Sequence, residues 1–577
     1  MTAQAERLLQ SLCLFAIVWI LGFQTLGLLN LYAAAPAFRS SWIVAAAIFF
    51  IAIWLLLDRP FRWFHLPRIS DLHASFPLPL AIVGGAYCLF FIERLTGYPS
   101  GYDAIAYHLM NPVSWIQTAS VRLLDLKWNM SLPANAELFT LPAIALNAQN
   151  LVFPGNLVAT GILALAVYLV SRRLSGSKRG AELAVIVALS MPLVFFQAFY
   201  LNVDAFGTAF LFASLNFAFL YAENGRAKHA LLCGLCCGLS MGTKHIFIPY
   251  AGLVLIFLLM AGWRQKRAAL LAAAVIAAAA PLTFWVCRAS AATGNPAYPF
   301  PIRVDGINLP GAIGFPPVQV NPVLPTLHAA VPALSAVSLP ANTPVKPVSL
   351  PRARITVNED EGVGPCFAAF SVAALLAAIV DSLRRPRFPL VVLTGACLIL
   401  GLLWWRLLPV PRFGLPVFVL VAVLCAQLES YLALLHRAVA SVLLVTTVGF
   451  GMALCLAVPG HRIWNRFTSH NWSRAGYYGY PSLLDRLPTG SSILDRSVDE
   501  RMGFAFAGAN LSNRIVHMAD PVTSTALDRI RVDYVIKEAA PDAEDAILDR
   551  YGDLVYDGVP QSIFPKVVSR WRVYRMR

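Results

Sequence analysis

The residues able to do chemistry are few, and they stand at the edges of apolar runs. Asp103 lies in Gly101-Tyr102-Asp103-Ala104-Ile105-Ala106-Tyr107-His108. A helix from about 103 to 110 places Tyr107 one turn from the carboxylate, with His108 beside it and Trp115 beyond a break at Pro112. Tyr and Trp favour the headgroup zone, so this segment is expected to lie on the outer leaflet. A second surface helix, over about 134–146, carries Glu137 near its start. Asp204 sits in the short turn Asn202-Val203-Asp204, and Lys244 and His245 interrupt two apolar runs at Gly242-Thr243-Lys244-His245. Arg288 ends another run, ahead of Gly294-Asn295-Pro296-Ala297-Tyr298-Pro299-Phe300, and Arg406 and Arg412 flank the turn at Pro409–Pro411. Ionisable groups near hydrocarbon cost about 2.5–3.5 kcal/mol each at a helix centre, so they need a compensating role. Asp103 and Asp204 also suit helix N-caps, and Glu137 suits a helix dipole. The cations have a more specific reading. Arginine forks match phosphate oxygens, and cations meeting carboxylates at a membrane surface suit a substrate with a lipid tail and a phosphate head.

The elements that must position these residues are membrane helices. Of 577 residues, 58% are hydrophobic and 13% charged, where a soluble chain of this size is about a quarter charged. That composition excludes a soluble enzyme, a disordered chain and a fibrous one. About 13 apolar runs of bilayer length follow one another, near 11–31, 41–57, 78–95, 151–170, 182–200, 205–221, 229–243, 246–262, 268–287, 365–380, 388–405, 415–433 and 438–457. The expected fold is therefore an all-α polytopic bundle, not a barrel of alternating ten-residue strands.

The net charge of +15 comes from 45 Lys and Arg against 30 Asp and Glu. The excess sits in alternate loops: Arg59, Arg62 and Arg68; Arg172, Arg173, Lys178 and Arg179; Arg226 and Lys228; Arg264, Lys266 and Arg267; Arg384, Arg385 and Arg387; and Arg437. In a bundle this pattern marks the cytoplasmic side and not a nucleic-acid partner. The N-terminus is then inside and the first run is a signal anchor. Loops 96–150 and 288–364, the turns holding Asp204, Lys244 and Arg412, and the tail are then outside. The tail has ordinary polarity, with strand-like runs at Ser492–Leu494 and Tyr534–Ile536, and Tyr480–Leu494 reads as helix, turn and strand. The expected division is a membrane domain over 1–460 and a small α/β domain over 461–577.

Other features carry less. Cys233, Cys236 and Cys237 have metal-like spacing, but small packing residues are the simpler reading inside an apolar helix. The stretch Leu309–Pro351, rich in Pro, Ala and Val, reads as a lid on the membrane surface or a disordered insertion. Glu359-Asp360-Glu361 reads as a solvated charge run, with cation binding as the alternative.

These motifs resemble the GT-C superfamily of membrane glycosyltransferases, in the bacterial branch related to dolichyl-phosphate-mannose protein mannosyltransferases and aminoarabinose transferases. Asp103 matches the acidic residue of that superfamily's first large outer loop, and Asn202-Val203-Asp204 resembles its second acidic element. Gly242-Thr243-Lys244-His245 resembles its Gly-x-Lys element. Arg288 with Gly294–Phe300, and Arg412-Phe413-Gly414-Leu415-Pro416, resemble its later outer-loop signatures. Two differences stand out. The large loop follows the third run instead of the first, and Asp103 is followed by Ala104 instead of a second acid.

The resemblance implies transfer of a sugar from a polyprenyl-phosphate donor to a hydroxyl of a glycan, lipid or protein, at the outer face of a bacterial inner membrane. Transfer would be inverting, with Asp103 as general base. Tyr107, His108, Asp204, Lys244, His245, Arg288, Arg406 and Arg412 would bind substrate. No metal is expected, a divalent cation being the only cofactor considered. The alternatives are a transporter or flippase of lipid-linked sugars, an O-antigen ligase-like transferase depending on Arg and His, and a structural member of an envelope complex.

Overall fold

The computed structural model describes residues 2–32, 37–58, 76–99, 101, 103–123, 128–264, 266–304, 307–309, 311, 362–407, 411–432, 437–468, 474–478, 480–496, 503–517, 523, 525, 527, 530–538, 543–559 and 570–577. The loop 309–351 falls almost wholly outside these residues, as do Arg59, Arg62, Arg68 and Glu359-Asp360-Glu361.

The molecule is a helical bundle carrying a small sheet formed by the tail. Among the described residues, eleven helices are long and apolar enough to cross a membrane. Two expected spans take another form. The run 182–200 divides into Lys178–Leu189 and Pro192–Gln197. Pro192 lacks the N–H that would continue the first helix but fits the opening turn of the second. The run 229–243 is the 15-residue helix Ala227–Met241.

That short helix owes its place to glycine. A Cβ on Gly234 or Gly238 would collide with the carbonyl oxygen of Ala274 or Ala278 on the helix Ala268–Thr293. Small residues four apart let two backbones approach this closely. Cys233, Cys236 and Cys237 lie on the same helix as buried free thiols, and among the described residues no three His, Cys, Asp or Glu gather as a metal-holding group.

The two ends of the bundle differ in charge. At one end Arg173 meets Glu6 of the N-terminal helix and lies 3.2 Å from Glu223. Lys228 donates to Gln10 at 3.3 Å, and Arg387 donates to the Leu174 carbonyl at 3.1 Å. The helix Asp204–Asn224 carries Glu223 at this end and Asp204 at the other.

The tail forms a five-stranded sheet in the order β4-β3-β5-β7-β6, where β3 is Ser492–Arg496, β4 Arg514–His517, β5 Tyr534–Glu538, β6 Gly552–Gly558 and β7 Trp571–Met576; β1 (Ile302–Val304) and β2 (Ile307–Leu309) form a separate hairpin. β3 runs parallel to β4 and β5, while β7 is antiparallel to β5 and β6.

Replacing Gly238 by Val should force two helices apart and cost ~1–3 kcal/mol. A lower melting temperature in detergent for Gly238→Val than for Gly252→Val, where a side chain meets open space, would show it.

Candidate active site

The loop that follows the helix Pro77–Thr96 is folded into the protein, where the aromatic pattern suggests a segment lying flat on the membrane. Asp103 opens a π-helical turn, Ala104–His108, which leads into the helix Met110–Gln117. Pro112 falls in the first turn of that helix, where a missing N–H costs nothing, so it does not break the chain. Tyr107, His108 and Trp115 are all buried: the tail covers Tyr107, His108 meets Glu137, and Trp115 packs against Trp285 and Phe38 of the bundle. Leu109 and Met110 pack in one cluster with Phe504 and Phe506. Tyr478 donates its hydroxyl to the Pro99 carbonyl at 2.5 Å, and Gln117 donates to the carbonyls of Leu511 and Asn513 at 2.7 and 2.9 Å. The expected helix over 134–146 is likewise broken, into Glu137–Phe139 and Leu141–Ala145.

Asp103 lies at the centre of the charges. Its Oδ2 is 2.7 Å from Nη1 of Arg412 and accepts the Tyr107 hydroxyl at 3.0 Å. Arg412 reaches it from the short turn Pro411–Gly414. That turn folds tightly because a Cβ on Gly414 would lie 2.7 Å from the Trp404 ring. Burial acts to raise the Asp103 carboxyl, but the charges of Arg412, His108 and Lys244 and the Tyr107 hydrogen bond outweigh it and hold the group below the ordinary carboxylate range. Burial and the Asp103 charge push the Tyr107 phenol well above its usual value, so it is a donor and not a base.

Lys244 is paired with the second carboxylate. Its Nζ donates to Asp204 Oδ1 at 2.9 Å and stands 4.7 Å from the centre of the Phe413 ring, over which the Arg412 guanidinium also lies at 5.3 Å. Two cations from distant parts of the chain therefore share one aromatic ring. Asn135 helps set Lys244 in place. Its side chain accepts from Gln24 at 2.7 Å and from the Trp285 indole at 2.8 Å, and its backbone N–H donates to the Gly242 carbonyl at 3.1 Å.

Behind Asp103 stands a pair that the sequence does not single out. His108 Nδ1 is 2.5 Å from Glu137 Oε1, with both side chains buried. Arg288 adds a charge interaction with Glu137 but none with Asp103 among the described partners. Its guanidinium lies 5.4 Å from the centres of both the Trp115 and Trp285 rings and donates to the Met130 carbonyl at 3.0 Å. Arg288 thus reaches the site only through Glu137 and His108. His245 packs its ring against Phe300 at 5.4 Å, and Arg406 is exposed at the end of its helix. No described contact brings either to Asp103.

An apolar groove of about 80 Å³ lies between the helices Asp204–Asn224, Ile248–Arg264, Phe388–Leu407 and Leu415–Leu424. Tyr250 stands at its mouth and donates its hydroxyl to the Phe413 carbonyl at 3.2 Å. One hydrogen bond therefore links the groove's lining to Phe413, the residue whose ring lies beside both cations. Aromatic residues inside apolar helices give no such signal in a sequence.

Residues 139–285 match the family of dolichyl-phosphate-mannose-protein mannosyltransferases. That stretch holds Asp204 and Lys244. Among solved structures, ArnT from Cupriavidus metallidurans bound to undecaprenyl phosphate is similar, with a TM-score of 0.51 at 13% identity over 87% of this chain and 98% of that one. The same protein in the apo state gives 0.51 at 14%, over 86% and 97%. No curated protein matches in sequence. The resemblance to the GT-C superfamily is borne out, and the chain has the ArnT fold.

The Asp103–Arg412 pair should be measurable as coupling. A double-mutant cycle with Asp103→Asn and Arg412→Gln, read by thermal unfolding in detergent, should give an interaction of about 0.5–3 kcal/mol. A carboxyl held low in the folded state contributes stability that is complete above its unfolded-state pKa and is lost as pH falls through the folded value. The melting-temperature gap between wild type and Asp103→Asn should therefore be constant near neutrality and shrink in strong acid.

Proposed function

We propose that this GT-C-fold chain is a glycosyltransferase that moves a sugar from a polyprenyl-phosphate donor to an acceptor hydroxyl at the outer face of the membrane, inverting the anomeric centre. One observation carries the reading. An ionised, largely buried carboxylate is held by a cation that shares an aromatic ring with a second cation, and that aromatic residue is hydrogen-bonded to the lining of an apolar groove. A lipid phosphate fits that layout, with its head at Arg412 and Lys244 and its tail between the helices. The ArnT structure that shares this fold is bound to undecaprenyl phosphate, which agrees with a donor of that class.

The chemistry then follows from the charges. Asp103 accepts the proton of the acceptor hydroxyl as general base. The acceptor oxygen attacks the anomeric carbon, and the bond from that carbon to the phosphate oxygen breaks with its electron pair leaving on phosphate. Arg412 and Lys244 stabilise the negative charge that grows there. An arriving phosphate also draws Arg412 away from Asp103. The carboxylate loses the charge that depresses its basicity, so donor binding prepares the base. Tyr107 orients Asp103 by its hydrogen bond, and the Glu137–His108 pair fixes the turn behind it. Asp204 holds Lys244 until the donor arrives. The basic loops and Glu6 at the far end of the bundle support a cytoplasmic N-terminus, with the site and the tail on the other face of a bacterial inner membrane.

The test uses wild type and Asp103→Ala in nanodiscs with radiolabelled polyprenyl-phosphate sugars and a membrane extract. Label should pass from lipid to a new product with wild type, and about 10²–10⁴-fold more slowly with the variant. A folded and fully active Asp103→Ala overturns the base assignment. Donor binding without transfer by both proteins would favour a transporter of lipid-linked sugars.

A further inference from the structure

Two lining residues of the apolar groove, Phe219 and Phe257, also line a second cavity of about 410 Å³ near Glu223 and Met260, at the opposite end of the same helices. The two rings are 5.3 Å apart and meet edge to face, and Phe388 stacks on the outer side of Phe257 at 6.2 Å. Three aromatic rings from three different helices therefore form a partition between two cavities. Phe219 and Phe257 are buried and bring no polar group to the wall.

We propose that Phe219 and Phe257, backed by Phe388, form the floor of the lipid-tail groove and set the length of polyprenyl tail that the protein reads. The occupant is the tail of the lipid phosphate because one hydrogen bond links the groove's lining to the cationic end. Tyr250 lines it and is hydrogen-bonded to the Phe413 carbonyl, and Phe413 carries Arg412 and Lys244. Tyr250 and Phe257 share one helix, so mouth and floor are ~10 Å apart along its axis at 1.5 Å per residue. Isoprene units within that depth are buried against Leu215, Val254, Leu393 and Leu420, and each adds apolar contact. Units beyond it meet the aromatic floor and leave sideways into the bilayer, where they exchange one hydrocarbon environment for another and gain nothing. Affinity should therefore climb with tail length and then level off. This inference rests on the reading of Arg412 and Lys244 as a lipid-phosphate site.

The experiment measures competition by a series of polyprenyl monophosphates of increasing chain length against one labelled polyprenyl phosphate, with the full-length protein in nanodiscs. For wild type, competition should strengthen several-fold across the short members and then reach a plateau. In Phe257→Ala and in Phe219→Ala the two cavities become one, so the plateau should move to longer chains and the long-to-short affinity ratio should rise about threefold or more. That ratio is taken within each protein and does not depend on the fraction folded. Ala396→Phe, which fills the groove above the floor, should abolish the climb while leaving phosphate-dependent binding of the shortest member.

An unchanged plateau in both alanine variants, with wild type still binding through Arg412, would overturn the floor and leave the lipid-phosphate reading intact. Wild type that binds no member of the series, or binds equally well after Arg412→Gln, would overturn the lipid-phosphate reading itself.

Discussion

A carboxylate kept ionised beside a bilayer is the constraint around which this molecule is arranged. Asp103 is mostly withdrawn from water, and an unpaired charge there costs several kcal/mol. Arg412 removes that cost at 2.7 Å, and it does so from a turn some ten helices later in the chain. The bundle must therefore close, with its late helices returning to the first large outer loop. The packing that achieves this is equally specific. Gly234 and Gly238 bring one helix pair to backbone contact, and Asn135 ties the outer loop to Gln24, Trp285 and Gly242. Lys244 follows Gly242 by two residues, so the network that closes the bundle also sets the second cation.

The tail serves the same constraint from the other side. A π-helical turn is a poor element by itself, because its hydrogen bonds are strained and its side chains are irregularly spaced. Here it carries Asp103, Tyr107 and His108, and Phe504 and Phe506 cover its back. The hydrogen bonds from Tyr478 to Pro99 and from Gln117 to Leu511 fix both flanks. A flat helix on the leaflet would let Asp103 follow the lipids. The buttressed turn keeps it at a fixed place relative to Arg412, which a reaction at one atom requires.

What could be read in the sequence depended on cost. Asp103, Asp204, Lys244 and Arg412 stood out because ionisable residues are expensive at the edge of an apolar run, and the structure brings all four together. Arg406 met the same criterion without joining them. An arginine at the end of an apolar helix also satisfies itself by reaching outward to the interface, and its exposure fits that behaviour. Glu137 was noted near a helix start, where dipole complementarity explained it equally well; its contact with His108 is what distinguishes it. Tyr250 and Phe257 were invisible for the opposite reason. Aromatic residues in apolar helices are ordinary, and their role lies in a groove made by four helices. The span pattern was legible wherever length and hydropathy agreed; at Pro192 a proline divided an apolar run, and the run 229–243 forms only the 15-residue helix Ala227–Met241.

The four charges are therefore neutralised in pairs, Asp103 by Arg412 and Asp204 by Lys244. Such pairing gives little net stability, because the desolvation of each ion offsets most of its attraction. Its value lies in exchange. On the proposed reading, a phosphate that replaces Asp103 as the partner of Arg412 would meet Lys244 as well, and Asp103 would lose the charge that holds its carboxyl low. The cations would not be desolvated anew, since the protein already holds them largely withdrawn from water beside the Phe413 ring. The charge that binds the donor would then also be the charge that readies the base.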